Sequence, residues 1–306
     1  MNRVSTLGSF NSALLNLMSS QRKLEAANEQ VSTQRKATDL GGFGRSSETV
    51  TALNSTHARI TQFKEAGETA AARLTTQALA FDRIIDGAQS TRQAIADAIA
   101  AGRLDGLMAE LGNQFQSIQD GLNTSHQGVY LFAGGRVDQA PVPQTDLQGL
   151  AASPTVAQLF RNDNLKQTSR IDEGSYVQTG FLASEMGTEL YNILRDIQLY
   201  HQGAPLTGKP TAATEDFLKQ QMERLDAARE TITAHGANNG AMQTRVDAVI
   251  AMQEKQLITL EELTTDKTHV DMTRAITELQ LAQTAIQASA QVVSQLRDVS
   301  LLNYLR

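Results

Sequence analysis

The 306-residue sequence contains no cysteine and no tryptophan. The first absence excludes disulfide frameworks, thiolate zinc sites, iron–sulfur clusters and cysteine nucleophiles. Aromatic residues make up 5% of the chain, a thin supply for a thick globular core, although 41% hydrophobic content is ordinary for a folded protein once glycine is added. A basic excess is lacking too: 27 Lys+Arg stand against 33 Asp+Glu, a formal net charge of −6. No Lys/Arg run exceeds two residues, so the electrostatic footprint of a nucleic-acid binder is missing. No uncharged apolar run approaches the ~20 residues that span a bilayer. The start, Met1-Asn2-Arg3-Val4-Ser5-Thr6, has no apolar stretch of the secretory-signal type. These features fit a cytosolic protein or one exported without a cleaved signal.

Proline is scarce, and its placement is informative. Pro141, Pro143, Pro154, Pro205 and Pro210 all lie between positions 141 and 210, leaving two long proline-free flanks. Proline breaks helix interiors, so both flanks are permitted to be helical throughout. Their repeats argue that they are. Phe10, Leu17, Leu24 and Val31 recur every seven residues, with Leu7 and Leu14 as companions. Leu53, Ile60, Gly67, Leu74, Phe81, Ala88 and Ile95 keep the same spacing, as do Met272, Leu279, Ile286 and Val293 with Ile276 and Leu296 alongside. A strict period of 3.5 residues per turn puts each set on one seam of a slightly underwound helix, the signature of a coiled coil.

The breaks are legible as well. Gly41, Gly42 and Gly44 cannot stay helical comfortably and read as a hinge, with Ser46 or Ser47 available to cap the next helix. Gly102 to Gly106 reads as a turn before a helix carrying Leu107, Met108, Leu111, Phe115, Ile118 and Leu122. Later, Thr214 could cap a helix to about His235, residues 236–240 read as a bend, and another helix covers about 241–262. Residues 264–271 form a softer boundary before the last helix. Between the flanks, 129–133 and 176–182 read as short strands, and Tyr191, Leu194, Ile197 and Leu199 as a short helix.

The expected fold is therefore mainly α: a long coiled-coil helical bundle formed by both chain termini, with a small β-containing domain inserted in the middle. A terminal coiled-coil assembly domain is expected at 1–45 and 264–306, a helical rod domain at 46–128 and 211–263, and an outward-projecting β-containing insert at 129–210. A lone amphipathic helix buries too little along one seam to offset the entropy of ordering it. The first helix thus needs a partner, and the only terminal helix with a matching repeat is the last one. The two ends are expected to pair, with neighbouring copies completing their burial.

Catalytic and ligand chemistry finds little support. Gly203-Ala204-Pro205-Leu206-Thr207-Gly208-Lys209-Pro210 satisfies the glycine and lysine positions of a phosphate-binding loop, but Pro210 has no hydroxyl for Mg²⁺. His57, His126, His201, His235 and His269 include no pair at metal-ligand spacing. Arg161-Asn162-Asp163-Asn164 offers oxygens without the glycine and distal glutamate of a calcium loop. No catalytic, cofactor-binding or metal-ligating residues are assigned, no cofactor is expected, and nothing in the residues argues for an enzyme.

The terminal repeats, Gln30-Val31-Ser32-Thr33 with Lys36, Gly240-Ala241-Met242-Gln243-Thr244-Arg245 and Gln283-Thr284-Ala285-Ile286-Gln287-Ala288-Ser289 resemble the flagellin superfamily. Gln34 stands where that family usually has glycine, and Asp39-Leu40-Gly41-Gly42 replaces its usual paired aspartates. Gly128-Val129-Tyr130-Leu131-Phe132-Ala133-Gly134-Gly135 and the ending Ser300-Leu301-Leu302-Asn303-Tyr304-Leu305 are similar to the hook–filament junction members rather than to filament subunits. The motif residues carried over are Tyr130, Leu131, Phe132, Gly134, Gly240, Gln243 and Arg245. The resemblance implies a non-enzymatic structural protein of the bacterial flagellum, exported unfolded through the type III apparatus and assembled outside the cell. It implies as partners further copies of the chain in a ring or helical polymer, another hook-associated protein, flagellin, and an export chaperone before secretion, with no nucleic acid and no membrane insertion. A filament subunit is the alternative, and a non-flagellar coiled-coil adaptor or surface binding module the third class.

Overall fold

The computed structural model describes residues 2–302, with side-chain surroundings described from 11 to 295. Seven helices, α1 (Asn2–Thr33), α2 (Ser47–Ala101), α3 (Leu107–Leu122), α4 (Leu147–Ala152), α5 (Ala183–Gly203), α6 (Ala212–Thr268) and α7 (Met272–Leu302), dominate these residues. Two antiparallel hairpins accompany them, β1 (Ser125–His126) with β2 (Val129–Tyr130) and β3 (Thr168–Asp172) with β4 (Ser175–Gln178). The chain is mainly α with a small β-containing middle, as expected. It divides into two compact units, Met1–Arg59 with Gln256–Arg306, and Ile60–Lys255. Helices α2 and α6 contribute a segment to each.

In the second unit the heptad series of α2 becomes core. Gly67, Leu74, Phe81, Ala88 and Ile95 are all buried. Phe81, Ala88 and Ile95 join Leu111, Phe115 and Ile118 of α3, Leu190, Tyr191 and Ile197 of α5, and Leu218, Leu225 and Ile232 of α6. The few aromatics are concentrated here. Phe115 meets Tyr191 edge-on at 5.0 Å, Phe160 covers the same ring, and Phe81 touches both Phe132 and Phe181. The proline-bearing segment is fastened by amide side chains that imitate strand pairing: Gln119 exchanges two hydrogen bonds with the Thr145 backbone, and Asn123 two with Val142. Asp146 caps α4 by accepting from the Gly149 amide.

Several local expectations differ from what forms. Residues 236–240 do not bend; α6 continues through them. Packing overrides the glycine propensity here, because Asn239 is fully buried and donates to the Leu74 carbonyl of α2 at 2.9 Å. The same helix runs on to Thr268, past the boundary expected at 264. Its first turn is capped by Thr211, whose hydroxyl accepts from the Thr214 amide, rather than by Thr214 itself. The strand expected at 129–133 stops at Tyr130, since Leu131, Phe132 and Ala133 turn into the core. The strand expected at 176–182 ends at Gln178, where the Thr179 and Gly180 amides both donate to the Gln167 carbonyl. The helix expected around Tyr191 is longer, spanning 21 residues as α5. Finally, the β3–β4 hairpin of the 129–210 segment is laid back along the helices. Its Ile171 and Val177 are buried with Ala70, Leu74 and Val246, and Gln253 of α6 donates to the Ile171 carbonyl at 2.7 Å.

Candidate assembly interface

In the first unit α1 packs along α7. Both are proline-free and keep their seven-residue repeat, so each can present a continuous seam. On α1 the row Leu17, Leu24 and Val31 is half-buried, and the buried residues beside it are Ala13 and Ala27. On α7 the row Met272, Leu279, Ile286 and Val293 is likewise half-buried, with Ala275 and Ala282 buried beside it. The seam thus pairs a large apolar row with a small one, which allows close helix approach but buries less apolar area than a double row of leucines.

The companion positions read from sequence lie elsewhere on these helices. Leu14 is 41% exposed and Ile276 43% exposed, each one residue beyond a buried alanine. Leu15, Met18, Leu281 and Val292 are exposed too, Leu15 and Leu281 each at 64%. Leu7, Phe10 and Leu296 belong to helical segments, but their side chains lie outside the described residues, as do Asn303, Tyr304, Leu305 and Arg306. The alanine rows were missed because a search for a seam looks for large apolar residues. The seven-residue series Ala13, Ser20, Ala27 and Ala275, Ala282, Ser289 were the signal available.

The connection leaving α1 is built from strained and small residues. Gln34 takes a left-handed conformation, φ 58°. That conformation is costly for any residue with a Cβ, and it explains why glycine suits this place. Residues 34–36 then form an antiparallel bridge with 268–270: the Lys36 amide donates to the Thr268 carbonyl and the Val270 amide to the Gln34 carbonyl. The Lys36 ammonium caps the end of α6 by donating to the carbonyls of Asp266 and Lys267, at 2.8 and 3.1 Å. A cation is favoured there because the helix C-terminus leaves carbonyls unpaired. Gly41 and Gly42 begin a 3-10 turn reaching Ser46, and Gly44 has φ 53°. A Cβ at Gly42 would run into Ala37, so close approach as well as freedom demands glycine there.

The motif residues of the second unit have structural partners. Gly134 has φ 70°, and a Cβ on it would strike Asp163. The Asp163 carboxylate accepts from the amides of Gly135 and Leu165, which hold it below the usual carboxylate range. Asn162 bonds Ser184 in both directions, so this stretch locks a loop rather than offering free oxygens to calcium. Phe132 is fully buried, its carbonyl accepting from the Ala183 amide, while Leu131 supplies a carbonyl to Arg73. Tyr130 is half-buried and its amide donates to the Val137 carbonyl. Gln243 reaches Thr75 of α2 and Arg245 reaches Ser175 of the β3–β4 hairpin, while Gly240 is exposed. In the phosphate-loop-like stretch the Gly208 amide is already occupied by the Asp105 carboxylate, which would repel a phosphate.

In class, the paired terminal helices form a two-helix coiled coil with an alanine seam and exposed outward leucines. Residues 222–305 match the family model described as the bacterial flagellin C-terminal helical region. Among solved structures, the chain is similar to a provisionally assigned flagellar hook-associated protein from Vibrio parahaemolyticus, with a TM-score of 0.61 and 16% identity over 73% of this chain and 97% of that one. It is similar to FlgL from Bacillus cereus, with a TM-score of 0.57 and 13% identity over 70% of this chain and 98% of the other. FlgL from Xanthomonas campestris gives a TM-score of 0.57 and 13% identity over 70% and 99%. No curated protein matches the chain in sequence. The chain has a flagellin-type C-terminal region, and in fold it is FlgL-like.

Proposed function

We propose that this chain is a structural subunit of the bacterial flagellum, set at the junction between hook and filament. The observation that supports this most directly is the α1–α7 pair, whose outward Leu15, Met18 and Leu281 are each more than half exposed in the isolated chain. Exposed apolar rows of this kind mark association surfaces. In this reading the terminal helices at 1–45 and 264–306 pack between copies as a ring or helical layer, with the glycines at 41–44 adjusting their direction. The rod residues 46–128 and 211–263 hold the layer, and the 129–210 segment supplies the outer surface. The subunit performs no catalysis and works outside the cell, after delivery by flagellar export with a chaperone. It contacts another hook-associated protein on one side and flagellin on the other, templating the first filament subunits.

The match of residues 222–305 to a flagellin region favours a second reading, the filament subunit itself. Two measurements separate them. Deleting the gene should leave a strain that secretes unassembled flagellin if the junction reading holds. Purified protein that grows alone into long filaments would sink it in favour of the second. Leu15→Gln with Leu281→Gln should abolish association in either case while leaving the monomer folded. Unchanged association of that variant would remove the terminal helices from the interface.

A further inference from the structure

We infer that Asn239–Gly240 is a protein modification site, an asparagine that loses its amide in the unfolded chain and is protected by the fold. An asparagine followed by glycine is chemically labile because glycine has no Cβ to keep its amide nitrogen away from the asparagine side chain. The Gly240 nitrogen attacks Cγ of Asn239, the new C–N bond forms as the Cγ–Nδ2 bond breaks, and ammonia leaves carrying the Gly240 proton. Water then opens the five-membered imide at either carbonyl, giving aspartate or isoaspartate. The net change is asparagine plus water to acid plus ammonia, with no other reactant.

Folding removes the free Gly240 nitrogen and the mobile Asn239 side chain that the attack needs. The pair sits within α6, where a helical backbone engages the Gly240 amide with the carbonyl four residues back. Asn239 is fully buried, and its Nδ2 donates to the Leu74 carbonyl at 2.9 Å. Its Oδ1 is buried without a hydrogen-bond partner, so the amide is held by the one donor that the reaction would remove. The product does not fit the same place. An aspartate carboxylate at this position would set acceptor against acceptor at Leu74, and an isoaspartate would add a backbone atom inside the helix. Gly240 is not required by packing, since an added Cβ meets nothing within 4 Å. The lability therefore persists beside a position where alanine would fit and hold the helix better. Chains that linger unfolded are marked irreversibly, and the mark bars them from the native core.

The full-length protein tests this by incubation at mildly alkaline pH, native or in urea, with mass spectrometry of the peptide spanning 239–240. Conversion in urea with retention of the amide in the native protein is the expected result. Equal conversion in both states overturns the inference. Gly240→Ala should slow conversion in urea severalfold or more while raising the unfolding midpoint; conversion at the wild-type rate overturns it. Asn239→Asp should lower the folded-to-unfolded ratio by at least about tenfold at neutral pH. It should recover relative to the wild type on acidification, because a protonated acid can again donate to Leu74. An unchanged midpoint overturns the exclusion of the product, and so does a defect that persists at every pH.

Discussion

The two units of this protein are both helical and both follow a seven-residue repeat, yet they bury different things. In Ile60–Lys255 the repeat of α2 ends up among fully buried leucines, isoleucines and phenylalanines from four helices. In the unit formed by the chain ends, the buried residues among those described on α1 and α7 are alanines, and the large ones described there stay half-covered or outward. A heptad repeat therefore does not say how much a helix buries. The number of neighbours around the seam does, and two helices alone cannot enclose it. One unit is enclosed by its own chain, whereas the other leaves large apolar side chains of α1 and α7 exposed.

The sharpest way to break that comparison is to cut the same kind of hole in each unit. Phe115→Ala should cost about 3–5 kcal/mol in denaturant unfolding, since it empties a fully buried site beside Tyr191. Leu24→Ala, at a half-buried seam position, should cost less than half of that in the monomer. Equal costs would show that the seam is as well enclosed as the core. Next in size, Gly134→Ala should lose about 1–3 kcal/mol, because φ 70° and the Asp163 contact both oppose a Cβ. A thermal midpoint unchanged by it would contradict the locked loop. In the other unit, Gln34→Gly should gain about 1 kcal/mol by relieving a left-handed backbone, read as slower hydrogen exchange at 34–36 and 268–270. Faster exchange there would mean that Gln34 contributes more than its strain costs.

The smallest effect concerns pH. Hydrogen bonds from the Gly135 and Leu165 amides depress the Asp163 carboxyl, and those from Gly208 and then Arg103 depress Asp105. A depressed carboxyl contributes stability that is present above its unfolded value, about 3.9, and is lost as pH falls through the folded one. Stability should thus decline on acidification into that range, by a modest amount because both groups face solvent. Asp163→Asn should flatten the decline; an unaltered acid slope would assign it to other groups.

Much of this architecture was legible in the sequence. Proline placement separated the helical flanks from the mixed segment, and the repeats of Leu17, Leu24 and Val31 and of Met272, Leu279 and Ile286 located the helices that pair. Tertiary detail was less legible for definable reasons. The glycines at 236 and 240 argued for a bend, but the hydrogen bond from Asn239 to Leu74 comes from a residue 165 positions away and no local pattern announces it. Residues 129–133 read as one strand, yet burial of Phe132 decided the path. At the interface, Leu14 and Ile276 were read as seam companions because apolar size was taken for burial, whereas the neighbouring Ala13 and Ala275 are the buried ones.

The bridge between residues 34–36 and 268–270 has a consequence for the order of folding. The Lys36 ammonium and the Asp266 carbonyl it meets are 230 residues apart in the chain. Closing so long a loop in an unstructured chain is entropically costly and slow, and native contacts within 60–255 shorten it first. The contact joining the ends should therefore form late: pulse-labelled amides of α3 gain protection before those at 34–36. The opposite order would mean that the ends nucleate folding. A protein whose ends close last remains, for part of its folding time, a finished body with two unpaired and unstructured arms.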